Sequence, residues 1–237
     1  MSVEPHMVFL NSETVGTPGS IERFVQAFEQ CGYKVRNLRV GSTGKRIAES
    51  EWYDHRAEPV VAQAYTHQML DFEASRASGV QREIRLEVFV QLGWGKEHLG
   101  GEKRAWVGLT CFQTALFNRA EYDTVYYSRL FLNLGKRLYG VLQPTFGWLE
   151  FCQLSGNTGF DDVENLCVPH IYWANYFGPE YVSKLGIEHL MSAPAWLTES
   201  LDDGGILYVL GSGPGVVCEG HVALADVQRH FGVESVR

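Results

Sequence analysis

Two groups of carboxylates are the residues in this 237-residue chain whose types and spacing first suggest chemistry: Asp161, Asp162 and Glu164, and then Asp202 with Asp203. Paired carboxylates act as general acid and general base when their surroundings push their pKa values apart. Both groups stand beside glycine and asparagine in segments that read as surface turns. Turn chemistry is sufficient for Asp202-Asp203-Gly204-Gly205, because Asp initiates turns and Gly permits positive φ. A hydrolase built on these acids would also want a nucleophile elbow or a metal, and the sequence contains no G-x-S-x-G. No catalytic residue is assigned.

Metal chemistry has one candidate, Glu219, His221, Asp226 and His230, with Asp226 and His230 four apart on a predicted final helix. An i, i+4 pair arises readily by chance, and no H-E-x-x-H supports it, so neither a metal nor another cofactor is expected. Gly211-Ser212-Gly213-Pro214-Gly215 follows a strand like a dinucleotide loop, but Val216 stands where the third glycine belongs and a proline intrudes. Gly41-Ser42-Thr43-Gly44-Lys45-Arg46 lacks the glycine spacing of a phosphate loop and a hydroxyl after the lysine, and reads as a basic turn. Cys31, Cys111, Cys152, Cys167 and Cys218 are scattered without a C-x-x-C pair, as expected of reduced, mostly buried thiols. His170 and His189, among apolar neighbours, read as core or rim histidines.

What remains for the carboxylates is attraction. Residues 146–237 hold twelve Asp/Glu against three Lys/Arg, whereas residues 1–145 hold sixteen against seventeen, so the net charge of −8 arises in the C-terminal part. An acidic surface repels nucleic acid and membrane phosphates and attracts basic proteins. The opening MSVEPHMVFLNSE has no basic, apolar leader pattern, and no apolar run is long enough to span a bilayer. The expectation is a cytoplasmic, soluble protein.

The elements that must position these groups follow from apolar spacing. Ile21, Phe24, Val25, Phe28 and Cys31 predict a helix that Gly32 closes, and Tyr33–Val40 a strand. Val60, Val61, Ala64, Tyr65, Met69 and Phe72 predict a helix after Pro59. Ile84, Leu86, Val88, Val90 and Leu92 alternate with Arg85, Glu87, Phe89 and Gln91, as in an antiparallel strand whose mostly polar face is solvated or thinly covered. Arg104–Phe112 is a second strand able to pair with it as a long-looped hairpin. A long helix is predicted from about Asn118 through Tyr127, Leu130, Leu134, Leu138 and Val141 to a stop at Pro144. A strand at Phe146–Phe151, a loop over Ser155–Asp162, a helix opened at Pro179, a second short helix, the apolar strand Ile206–Leu210 and a terminal helix through Leu224, Val227 and Phe231 complete the pattern. Regular strand–helix alternation is missing, and no linker or repeat divides the chain. The expectation is therefore a single α+β domain, residues 1–237, with a mainly antiparallel sheet packed against helices.

Asn175-Tyr176-Phe177-Gly178-Pro179-Glu180, Lys184-Leu185-Gly186, Ala193-Pro194 and Leu201-Asp202-Asp203-Gly204-Gly205 resemble the bacterial immunity proteins of polymorphic toxin systems, in particular immunity protein 52. The resemblance covers about fifty residues. It implies an α+β protein encoded beside a toxin with a restriction-endonuclease-like nuclease domain, often delivered by type VI secretion. It brings no catalytic residue.

The resemblance and the charge map point the same way. A nuclease needs a basic groove for its substrate's phosphates, and an acidic protein can occupy that groove. The expectation is a non-enzymatic immunity protein that binds a cognate toxin, with Asp161, Asp162, Glu164, Asp202 and Asp203 supplying charge and Tyr172, Trp173, Tyr176 and Phe177 as anchors. Neither nucleic acid nor membrane is a partner on this reading, and a homodimer is compatible with it. The alternative is a small hydrolase or transferase using Glu219 and His221 in a C-terminal pocket.

Overall fold

A computed structural model of the chain describes residues 6–10, 20–40, 45–46, 69–77, 83–94, 104–111, 121–150, 158, 160–168, 170–213 and 222–233. The strands are β1 (His6–Leu10), β2 (Lys34–Val40), β3 (Lys45–Arg46), β4 (Met69–Ala77), β5 (Glu83–Trp94), β6 (Arg104–Cys111), β7 (Phe146–Glu150), β8 (Ala174–Phe177), β9 (Leu197–Ser200) and β10 (Ile206–Val209). The helices are α1 (Ser20–Gln30), α2 (Glu121–Leu142), α3 (Phe160–Glu164), α4 (Pro179–Leu185), α5 (Ile187–Ser192) and α6 (Leu224–Phe231). The strands form one sheet in the order β3-β2-β4-β5-β6-β1-β7-β8-β10-β9. Every pairing is antiparallel. The fold is α+β, as the mixed spacing implied.

Alternation decides which face of each strand is covered. In β5, Ile84, Leu86, Val88 and Val90 are buried while Arg85 between them is exposed. Across the pairings, Phe72, Val88, Leu109, Met7, Leu149 and Ala174 fall in one row. That row faces α1 and α2. Phe24 and Phe28 of α1 meet Phe72 edge-on at 6.1 and 5.4 Å, and Gly32 ends α1 with a φ of +80° that only glycine adopts at no steric cost. The predicted helix over 60–72 is corrected at its end: Met69 and Phe72 belong to β4, and residues 60–68 lie outside the described set. Apolar residues three apart fit a helix, but the buried pair in the strand is Phe72 and Ala74, two apart.

The long helix is present as α2, with Arg129, Asn133, Arg137 and Gly140 as its exposed stripe. Gln143 then takes a φ of 45° before Pro144. Residues 118–120, where the start was placed, lie outside the described set. The segment read as a loop up to Asp162 instead enters α3 at Phe160.

The least expected element is β1. It lies mid-sheet, pairing β6 on one edge and β7 on the other, and so joins the strands that precede α2 to those that follow it. Around β7, β8 and β10 both sheet faces are covered. Tyr139 of α2 stacks on Tyr176 on one side, while on the other Tyr181 of α4 and Phe231 of α6 pack on Phe146, Phe177 and Tyr208.

Candidate partner-binding surface

The structure separates the nine sequence-predicted contact residues into interior and surface. Tyr172, Trp173, Tyr176 and Phe177 are 1, 3, 0 and 0% exposed, so the four aromatics are core rather than anchors offered to a partner. Tyr172 stacks on Trp148 with ring centres 4.7 Å apart, and the Trp173 indole N–H donates to the Gly211 carbonyl at 3.0 Å. The Tyr176 ring lies between Tyr139 and Phe9 at 5.9 and 5.4 Å. Burial holds the hydroxyls of Tyr176, Tyr181 and Tyr208 well above the usual phenol range. The cause of the misplacement is plain: the segment 171–178 is buried throughout, because α2 covers one face of β8 and α4 and α6 the other.

Asn175 shows how such a strand ends. It is fully buried, and its amide oxygen accepts from the Tyr172 N–H at 3.0 Å while its amide nitrogen donates to the Tyr172 carbonyl at 2.8 Å. A polar side chain thus replaces a neighbouring strand where the ladder runs out.

The five carboxylates reach the surface in two places. Asp161 and Asp162 open α3 and Glu164 ends it, with Asp161 and Glu164 exposed. This helix packs on the α4 side of the sheet, where the Tyr181 hydroxyl donates to the Cys167 carbonyl at 2.7 Å and Lys184 to the Asn165 carbonyl at 2.5 Å. Asp202 and Asp203 instead occupy the turn between β9 and β10, on the side of α2. Asp202 is exposed. Asp203 accepts from the Tyr139 hydroxyl at 2.9 Å and from the Gly205 N–H at 2.9 Å. Burial and the Asp203 carboxylate together raise the Tyr139 pKa, keeping the hydroxyl protonated as the donor.

This turn bounds a cleft of about 320 Å³. Lys136, Tyr139 and Gly140 of α2 and Gln143 just after it line one wall, and Glu199 to Asp203 the other. Lys136 pairs with Glu199 at 3.1 Å. With the lysine countered and Asp203 held by Tyr139, Asp202 gives the cleft its outward negative charge. The arrangement suits a cationic side chain from a partner better than proton transfer.

The residues considered for a metal do not converge as far as they are described. Asp226 pairs with Arg229 at 2.9 Å, and the His230 ring stacks on His189 at 4.1 Å with its Nε2 2.9 Å from the His189 carbonyl. Glu219 and His221, on which the enzyme alternative rests, lie outside the described residues. Among the described cysteines Cys167 is exposed, contrary to the expectation of burial, and Cys31 is half-buried with its thiol pKa raised by that burial.

Sequence reasoning missed a set of exposed apolar side chains: Ile187, Met191, Trp196 and Leu224. A signal was present, since Ile187 and Met191 are i, i+4 on α5, a spacing that puts both on one stripe of the helix.

No helix among the described residues is long and apolar enough to cross a membrane. No family model matches the chain, so the resemblance to immunity protein 52 gains no support there, and no curated protein matches it either. Among solved structures, Pseudomonas aeruginosa T6SS protein PA0821 superposes with a TM-score of 0.54 at 10% identity, over 97% of this chain and 76% of that one. At that identity the likeness is one of fold, and what the chain shares with PA0821 is its α+β architecture.

Proposed function

We propose that this protein is a cytoplasmic immunity protein that binds and neutralises a cognate toxin, a nuclease effector of a type VI secretion setting, by protein–protein contact. The observation that carries the reading is the acidic excess of the C-terminal part of the chain. Asp161, Glu164, Glu180, Glu188, Asp202 and Asp226 are all exposed in the acidic part of the chain. Of its three bases, Lys184 is engaged by Asn165 and Arg229 by Asp226. The fold likeness to a type VI secretion protein and the residues resembling immunity protein 52 support the same setting. Neutralisation on this reading uses electrostatic and steric occupation of a basic groove and requires no catalytic group. Long-range attraction would speed capture of an incoming toxin.

The test is to co-purify the protein with the product of the adjacent gene and measure nuclease activity with and without it. The expected result is a complex that abolishes cleavage. Its association should slow by about tenfold or more between low and physiological salt, as electrostatically steered encounters do. Undiminished cleavage with no complex would overturn the reading.

A further inference from the structure

The sheet has two outer edges, and they are finished differently. At one, β3 is two residues long and consists of Lys45 and Arg46, the short, charged form by which proteins keep an edge from pairing with another chain. At the other, β9 runs Leu197-Thr198-Glu199-Ser200, with no proline, lysine or arginine. Its one charge is drawn aside, because Glu199 is held by Lys136 of α2 at 3.1 Å. Whereas β8 and β10 are buried throughout, Leu197, Thr198 and Glu199 are partly exposed and Ser200 is exposed.

The hydrogen bonding of β9 leaves its outer side open. The strand pairs with β10, Leu197 opposite Val209 and Glu199 opposite Leu207. The Leu201 N–H donates to the Gly205 carbonyl at 2.8 Å, so alternation along an antiparallel ladder directs Leu197, Glu199 and Leu201 toward β10 and turns the N–H and C=O of Thr198 and Ser200 outward. No strand among the described residues receives them. A row of such groups is complementary to the backbone of another extended chain. The cleft bounded by α2 and the β9–β10 turn adjoins this edge, since Glu199 and Ser200 of β9 also line it. Within its walls Lys136 and Glu199 offset each other, and no second base balances Asp202 and Asp203.

We propose that β9 takes up an extended segment of the toxin as a further strand of the sheet, and that a Lys or Arg of that segment enters the cleft beside Asp202 and Asp203. The proposal rests on the neutralisation reading above and gives that reading its contact site. Backbone selects the class of occupant, and the cleft selects one side chain. An added strand lies about 4.8 Å beyond β9 with its side chains alternating in direction, so every second residue faces the α2 side, within reach of the cleft for a long cationic side chain. A second copy of this chain has an edge to offer but no cation, because residues 185–228 contain no Lys or Arg. Nucleic acid and lipid present no strand backbone.

The experiment measures binding of the adjacent gene's product to the full-length protein and two variants, and amide hydrogen exchange of the wild type with and without that product. Circular dichroism confirms the fold of each variant, and gel filtration gives its oligomeric state. The expected result is that exchange at Thr198 and Ser200 slows by about tenfold or more in the complex. Thr198→Pro removes an N–H that β10 does not use, a change an edge strand tolerates, and raises Kd by about 30-fold or more. Asp202→Lys raises Kd by about tenfold at low salt, an effect that fades at about 0.5 M salt. Should Thr198→Pro fail to fold, the exchange measurement on the wild type decides. Wild-type binding with exchange at Thr198 and Ser200 unchanged overturns the edge and leaves neutralisation standing. Absence of wild-type binding overturns both. A dimer that Thr198→Pro converts to monomers assigns the edge to a second copy and also overturns the proposal. Slowed exchange with Asp202→Lys binding within about twofold of wild type keeps the added strand and overturns the cation in the cleft.

Discussion

At the residue scale the most consequential side chain is one that composition does not single out. Asn175 satisfies both backbone groups of Tyr172 inside the core. Truncating it would remove two hydrogen bonds to buried backbone groups, at about 0.5–1.5 kcal/mol each, and open a cavity beside them. Asn175→Ala is therefore expected to lower stability by about 3 kcal/mol, read as a shift of the urea midpoint at unchanged slope. Histidines give the molecule a pH response of defined sign. Burial lowers the pKa of His170, and burial with the neighbouring His230 lowers that of His189. The folded protein therefore favours neutral imidazoles, whereas the unfolded chain takes up protons near the ordinary histidine pKa of about 6.5. Their contribution is complete above that value and is lost as pH falls below it. Thermal stability should drop between pH 7 and pH 5, and His170→Gln with His189→Gln should flatten that drop. The same scale shows the limit of sequence reading. Tyr172 to Phe177 have the composition of a hot spot, but residue type alone does not reveal that helices cover both faces of β8. That fact belongs to the neighbours.

At the element scale, legibility followed local periodicity. The strand at β5, its hairpin with β6, the helix α2, the Pro179 start of α4 and the terminal helix α6 all carry their own period and were readable from it. β4, β9 and β1 were not. Met69 and Phe72 share a helical spacing although the strand puts them on opposite faces, Leu197–Ser200 is four residues long, and β1 is only five. Strands so short acquire their identity from their partners in the ladder. Close approach of elements leaves a clearer mark. A Cβ at Gly135 of α2 would overlap the Tyr176 hydroxyl and lie 3.3 Å from the Met7 side chain. Gly135→Ala should thus push α2 away from β8 and β1 and destabilise by about 1–3 kcal/mol, although alanine is the better helix former. A gain in stability would show that α2 does not seat as described.

For the whole molecule, sequence made the α+β class and the acidic C-terminal part legible, but not the placement of the acids. Asp161 and Asp162 stand on α3 on the α4 side, and Asp203 is tied to Tyr139 of α2, so the two carboxylate groups serve different faces. What unites the molecule is the continuous sheet. Phe9, fully buried in β1, touches Tyr176 of β8, and Val107 lies opposite it on β6. Phe9→Ala should cost about 3–5 kcal/mol and move the unfolding of both flanks of β1 together, monitored by hydrogen exchange in β5 and β10. Loss of protection confined to one flank would contradict that coupling. The central place of β1 also imposes an order on biosynthesis. The strand leaves the ribosome roughly 100 residues ahead of its partner β6 and 140 ahead of β7. At ordinary elongation rates the later partner follows on the order of ten seconds behind. During that interval Met7, Phe9 and Leu10 have no completed sheet to enter, and once β6 arrives one edge of β1 is still open. The nascent chain therefore passes through a stage in which an apolar strand waits for both of its ladder partners, and the wait lengthens wherever translation of residues 11–150 slows.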